Sequence, residues 1–453
     1  MPGRTIEDSC YWFTFRDANE AHVPLVGEHE TDIAIIGGGF TGLWSAYFLK
    51  RLDPNVRIAL VEQGRLGYGA SGRNGGMACG TLDQSHGAAI EHFGRKEAEK
   101  MARVAERNYA AFAAFAADCD FEHKGFLHPA LLPQHMEAFK EESEAAVSVG
   151  APEWKMLSAD EMRKELDSPL YLGGAFSIEG GSVNPMKLVT KLKKEAERSG
   201  VEIFENTKVE RLQAHEIATV VGRLRAKRII LATDAYGHHI ASALRKKYLP
   251  LYDYIIVSEP LTTEQFAKIG WKNRQGVSDV RTFFNYYRLT ADNRILWGTS
   301  EAHYYPPNQV HPRHDYSKEC HEILQTSFAE HFPQLRELRF PYVWGGPIAA
   351  TTRLSPCFGT LHHGHTLYAL GYTGQGVVAS RFAGEVLAYQ ALNRPSPLLE
   401  LAMVRKSPLP YPPEPLRRIA VELVRRALRK TDRGEKPSLL LRMLGAFNIE
   451  FSS

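Results

Sequence analysis

The stretch from Thr31 to Leu49, TDIAIIGGGFTGLWSAYFL, constrains the fold of this chain more than any other. Ile33 to Ile36 is a short, wholly apolar run, the pattern of a strand buried on both faces of a parallel sheet. It turns through Gly37-Gly38-Gly39-Phe40-Thr41-Gly42 into a helix-like segment. Strand, G-x-G-x-x-G and helix in that order form a dinucleotide-binding turn. Gly37 permits the tight turn, Gly39 lets the backbone approach a pyrophosphate, and Gly42 lets helix and strand pack closely. The helix N-terminus offers N–H groups and the positive end of its dipole to the phosphates. A second strand, Val56 to Val61, ends at Glu62, twenty residues past Gly42. An acid at that spacing hydrogen-bonds a ribose 2′-hydroxyl, which favours FAD or NAD over NADP.

Two more glycine-rich blocks follow. Gly67 to Gly76, GYGASGRNGG, lies just past the acid-bearing strand, and its backbone N–H groups can wrap a flat ring. Gly371-Tyr372-Thr373-Gly374-Gln375-Gly376 sits between an apolar run, Thr366 to Leu370, and a helix reaching Leu392. Its N–H groups suit negative charge on a reduced flavin. Taken alone, the first block also reads as a surface linker, and the second as a turn without a ligand.

Between these blocks, residues 88–118 read as one long Ala-rich helix, with further helices at 134–147 and 158–166. Asn184-Pro185 opens a helix that Gly200 stops, Val201 to Phe204 is a strand, and Arg228 to Ala232 is another buried strand. Residues 251–300 alternate apolar with polar and are rich in Tyr, Phe and Thr, as in an antiparallel sheet. The expected class is α/β, α+β overall. A Rossmann-like domain takes 28–90, 170–245 and 350–400; a substrate domain takes 91–169 and 246–349; a basic helical tail takes 401–453. Ligands in such folds sit at the carboxyl ends of the parallel strands.

Composition narrows the function. A net charge of +3 does not imply nucleic acid, and no apolar run approaches the ~18 residues of a membrane span. Five scattered cysteines without a C-x-x-C argue against disulfides, a zinc site or a redox pair, and fit a reducing cytoplasm, as does an N-terminus without an apolar signal core. His86, His238, His239 and the cluster His362-His363-Gly364-His365 lack partners at metal-ligand spacing and read as solvated positions, so no metal is expected.

Together the glycine blocks resemble the FAD-dependent D-amino-acid-oxidase-like superfamily, and within it the bacterial γ-glutamylputrescine oxidase type and related amine oxidoreductases. The resemblance rests on Tyr11-Trp12, Asp32 to Gly42, Glu62, Gly69 to Gly76, Gly181 to Pro185, Ile229 to Thr233, Glu259-Pro260-Leu261, Trp344-Gly345-Gly346 and Gly371 to Gly376. It implies FAD, held by the first glycine turn, by Glu62 and Gln63, and by Gly69, Ala70, Ser71, Arg73, Asn74, Gly75, Gly76 and Met77. Val209, Ala232, Thr233, Gly371, Thr373, Gly374, Gln375 and Gly376 complete the expected cofactor set. It also implies hydride transfer from a C–H next to nitrogen to flavin N5, then hydrolysis of the imine.

Departures from the family pattern refine this. The loop offers Arg73-Asn74 instead of a His, and Cys357 is misplaced for attachment, so FAD is expected to be non-covalent. Pro347-Ile348 stands where amino-acid oxidases of the family carry a carboxylate-gripping Arg. Leu296 or Trp297 stands where an oxygen-activating Lys occurs, which leaves O2 or another acceptor open. Tyr254, Tyr287 and Trp344 are candidates for an aromatic wall over the flavin, and Arg288 for an anion grip. The expected substrate is a small aliphatic primary or secondary amine: a γ-glutamylated diamine, an N-methylated amine or amino acid, or an aminophosphonate. The rivals are an α-amino-acid oxidase or dehydrogenase, with Arg288 as clamp, and a non-enzymatic flavoprotein docked through its tail.

That tail carries 11 Lys/Arg against 5 Asp/Glu. From Glu414 to Lys430, Leu416, Ile419, Ala420, Leu423, Val424, Ala427 and Leu428 recur at helical spacing, with arginines largely off the stripe. Packing of the stripe on the parent domain or a second subunit is the expectation, ahead of membrane contact; no oligomeric state follows.

Overall fold

The computed structural model describes residues 5–16, 21–436 and 438–445. Strand Gly27–Ile36 lies at the centre of a parallel sheet, flanked by Ile58–Val61 on one side and Gly222–Leu231 on the other. Glu202–Phe204 extends the first side and Thr366–Leu370 the second; Cys357–Leu361 closes that edge antiparallel. Both faces of the central strand are covered: Ile33 and Ile35 join one apolar cluster, Ala34 and Ile36 another. This is why the run is apolar without alternation. Helices Phe40–Leu52, Pro185–Arg198 and Gly376–Ala391 lie on the first face. A side chain at Gly384 would meet Trp44 Cβ at 2.6 Å, so the first and last of these helices pack almost backbone to backbone.

The second sheet has eight strands, in the order Tyr342–Ala350, Leu249–Val257, Ile295–Tyr304, Asn285–Leu289, Gly276–Ser278, Phe126–Pro129, Gly173–Ser177, Lys155–Ser158. All neighbours run antiparallel except Gly276–Ser278 with Phe126–Pro129. One face packs Tyr252, Tyr254, Tyr287 and Trp297 against helix Lys318–His331 in a separate aromatic core. Its other face looks toward the glycine loops.

Two expectations need correction. The segment read as one helix over 88–118 forms two, His86–Phe93 and Arg95–Ala116, because Gly94 at φ +81 ends the first and opens the second. Of the two packings expected for the tail stripe, the one on the parent domain is not formed: on helix Leu416–Thr431, Leu416 is 59%, Ile419 54% and Leu423 49% exposed, while Arg417 is buried. Positions 446–453 of the expected tail lie outside the described residues.

Candidate active site

The first glycine turn is built as a cradle. Gly37 sits at φ +109, and a Cβ there would lie 2.5 Å from the Ala232 carbonyl oxygen. A Cβ on Gly42 would overlap the Gly37 carbonyl, which accounts for the close helix–strand approach. Glu62, at the end of the second strand, accepts the Gly38 N–H at 2.8 Å and the Gly64 N–H at 2.9 Å. Burial pushes its carboxyl above the usual range. Ser71 Oγ accepts the Phe40 N–H at 2.8 Å and ties the second glycine block to the start of the helix.

That second block is held on all sides. Trp12 Nε1 donates to the Asn74 carbonyl at 2.8 Å, and Trp344 Nε1 to the Arg73 carbonyl at 2.8 Å. Asn74 donates to Ala70 and Ser71 carbonyls and accepts the Gly76 N–H at 2.8 Å. Arg73 donates to the Tyr68 carbonyl at 2.7 Å and pairs with Asp315 at 3.0 Å. The segment is thus a fixed loop, and the N-terminal Tyr11-Trp12 pair is part of its scaffold. In the third block Gly371 N–H donates to Asp234 at 2.8 Å, and Thr41 and Tyr372 share a 2.7 Å hydroxyl contact. Gly374, at φ +87, faces open space.

Between the two sheets lies a cavity of about 630 Å³. Ala70, Arg73, Asn74, Gly75 and Met77 form one wall, and Thr373, Gly374 and Gln375 another. The antiparallel sheet contributes Asp253, Tyr286 and Trp344. Buried polar atoms without a protein partner include Arg73 Nη2, Thr233 Oγ1 and Gln375 Oε1. The glycine cradle, the strand-end carboxylate and these unpaired groups fit a flavin dinucleotide laid from the Glu62 end toward the cavity.

Of the candidate substrate-pocket residues, only Trp344 lines the cavity. Tyr254 points into the aromatic core and donates to the His314 carbonyl at 2.8 Å; Tyr287 stacks on Trp297 at 4.3 Å. Arg288 is 2% exposed and donates to the carbonyls of Gly76, Val183 and Leu289, so it is not aimed at a ligand. Burial lowers its pKa to about 10. Val209 sits in the core beneath the parallel sheet, and Gln63 is exposed. His86 and His238 are buried rather than solvated: His86 Nε2 lies 3.0 Å from Glu179, and His238 Nδ1 lies 2.8 Å from Tyr248 Oη. No group of three metal-ligating side chains occurs among the described residues.

The residues that sequence reasoning missed are the neighbours of those it chose. Asp253 faces the cavity where Tyr254 faces the core, and Tyr286 does so where Tyr287 does not. Period-two alternation was the available signal, but nothing local says which face meets the ligand. Asp253 accepts the Tyr286 hydroxyl at 2.6 Å and the Tyr254 N–H at 2.8 Å. Burial nonetheless raises its carboxyl to about 7. Glu142 and Glu179 also line the cavity, with Glu142 accepting the His86 N–H at 2.8 Å. Burial opposes a charge on His86, but Glu179 beside it outweighs burial and the imidazole pKa rises.

A parallel-sheet nucleotide cradle joined to an antiparallel sheet, with a cavity at the seam, defines a two-sheet flavoprotein. The chain belongs to the FAD dependent oxidoreductase family, whose model matches residues 32–390. It is similar to the gamma-glutamylputrescine oxidoreductase of Escherichia coli (strain K12), 28% identical over 366 residues, covering 79% of this chain and 82% of that one. It is also similar to the probable oxidoreductase OrdL of Haemophilus influenzae, 29% identical over 396 residues, covering 84% and 88%. Among solved structures, the glycine oxidase from Geobacillus kaustophilus shares the fold, with a TM-score of 0.70 at 18% identity, covering 83% of this chain and 99% of that one.

Proposed function

We propose that this chain oxidises a C–N bond of a small aliphatic primary or secondary amine. The observation that carries the reading is the acidic seam: Asp253, Glu142 and Glu179 face the cavity, where His86 balances Glu179 alone, and Arg73, the cavity guanidinium among the described residues, is already paired with Asp315. Such a lining attracts a cation and disfavours a lone carboxylate. The engagement of Arg288 by three carbonyls removes the clamp that an α-amino-acid substrate would need from that residue.

FAD, when bound, supplies the hydride acceptor. The protein's part is to bind, orient and dry the amine. Asp253 sits where it can receive the substrate ammonium and hold the proton that leaves as the neutral amine forms. Tyr286 fixes that carboxylate through its 2.6 Å hydrogen bond. Trp344 offers a ring to the alkyl part of the substrate while its N–H pins the loop. The imine product is hydrolysed to an aldehyde or ketone, with release of ammonia from a primary amine or of a smaller amine from a secondary one. The E. coli relative's name supports a γ-glutamylated diamine as one candidate; N-methylated amines or amino acids and aminophosphonates are the others.

The test is an anaerobic titration of the holoenzyme with amines, amino acids and aminophosphonates, followed at the visible flavin bands. Bleaching by an amine whose oxidised C–N bond is not that of a free primary α-amino acid supports the reading. Bleaching by primary α-amino acids alone overturns it. Admitting air then separates O2 from another acceptor.

A further inference from the structure

The tail helix Leu416–Thr431 is attached to the body by its polar side. Arg417 Nε donates to the Pro412 carbonyl at 3.0 Å and its Nη1 to Asn308 at 2.5 Å. Arg429 pairs with Glu301, as does Arg425 at 3.7 Å. Asp432, one residue past the helix, accepts the Thr282 and Phe283 N–H groups at 2.9 and 2.8 Å. These contacts set the rotation of the helix and turn Leu416, Ile419 and Leu423 outward. The following helix, Leu439–Gly445, adds Leu439 at 71% and Met443 at 54% exposure. A surface helix normally faces its stripe to the core, so this arrangement is inverted.

We infer that this outward stripe docks on an anionic lipid bilayer. Charge complementarity selects this occupant. Arg418, Arg426 and Lys430 are exposed on the first helix, Arg433 and Lys436 on the segment that joins the two, and Arg442 on the second, while the exposed acids Glu422 and Glu435 are fewer. Glu422 is moreover paired with Arg426 at 2.7 Å. A bilayer receives leucines between acyl chains and cations at its phosphates in one contact. A second copy of this chain would instead bring the same cations face to face. No helix among the described residues is long and apolar enough to cross a membrane, so the contact lies in the interface plane.

The test is co-sedimentation of the full-length holoprotein with vesicles of mixed phosphatidylglycerol and phosphatidylcholine, and with phosphatidylcholine alone. Binding is expected to the anionic vesicles only and to weaken with salt. Two variants are compared: Leu416→Glu/Ile419→Glu/Leu423→Glu, and Arg418→Glu/Lys430→Glu. Each is expected to reduce binding by about tenfold or more, with the flavin absorbance retained as proof of folding, since the altered side chains point to solvent. Equal binding of wild type and both folded variants would overturn the inference. So would a concentration-dependent dimer, seen by sedimentation velocity, that the leucine variant alone abolishes. The outcome is independent of which substrate the enzyme takes.

Discussion

The Tyr286 hydroxyl donates to the Asp253 carboxylate at 2.6 Å although another strand lies between theirs. The ring crosses over Gly298, where a Cβ would overlap it, and the hydroxyl arrives at the cavity wall. Asp253→Asn keeps the shape and removes the charge. A loss of about 10² in kcat/KM for amines is expected, with FAD content unchanged. Steady-state kinetics on the holoenzyme check this, and an unaltered kcat/KM would remove Asp253 from the mechanism.

The pH dependence follows from the same carboxyl. Burial raises it from the usual 3.8 to about 7, so the folded state holds its proton more tightly than the unfolded chain. Its contribution to stability is fully present below about pH 4 and is lost as pH rises through 7. The Tm advantage of Asp253→Asn over wild type should therefore widen between pH 5 and pH 8. In kinetics, amine kcat/KM should rise through about pH 7 as the carboxylate forms. Tyr286→Phe removes a bond to the charged form and should move that inflection to higher pH. Thermal scans and pH–rate profiles on the three proteins provide the comparison.

Gly298→Ala places a methyl in the Tyr286 ring. Displacement of the ring should cost about 1–3 kcal/mol of stability and lower kcat/KM in the manner of Tyr286→Phe. A variant with wild-type Tm and kinetics would show that the ring does not need this path.

Arg288→Ala should act on the fold and not on ligand choice. Three carbonyls, of Gly76, Val183 and Leu289, lose the guanidinium inside the protein, and Gly76 keeps only the Val183 N–H at 2.9 Å. A loss of about 3 kcal/mol or more is expected, with no selective change in KM between amines and amino acids. A wild-type Tm combined with a raised KM only for carboxylated substrates would restore Arg288 as a clamp.

Glu62→Gln keeps one acceptor but presents an amide NH2 to either the Gly38 or the Gly64 N–H. Disorder in that turn should weaken FAD reconstitution of the apoprotein by about tenfold. Fluorescence titration with FAD measures it directly.

The dinucleotide cradle was legible in the sequence because its physics is local. An apolar run, three glycines at fixed offsets and an acid twenty residues on specify turn, helix and the carboxylate that ties the turn, without distant partners. The two-sheet architecture was legible for the same reason, since strand type follows from periodicity. What tertiary structure alone decided is which way things face. Tyr254 and Tyr287 alternate with Asp253 and Tyr286 along their strands, and only the docking of helix Lys318–His331 on one face makes the other the cavity wall. The tail stripe is equally plain as a stripe, yet Glu301 and Asn308, more than a hundred residues earlier, set its rotation by capturing its arginines. Period and spacing belong to the chain itself; facing is a relation between segments, and it exists only once they have packed.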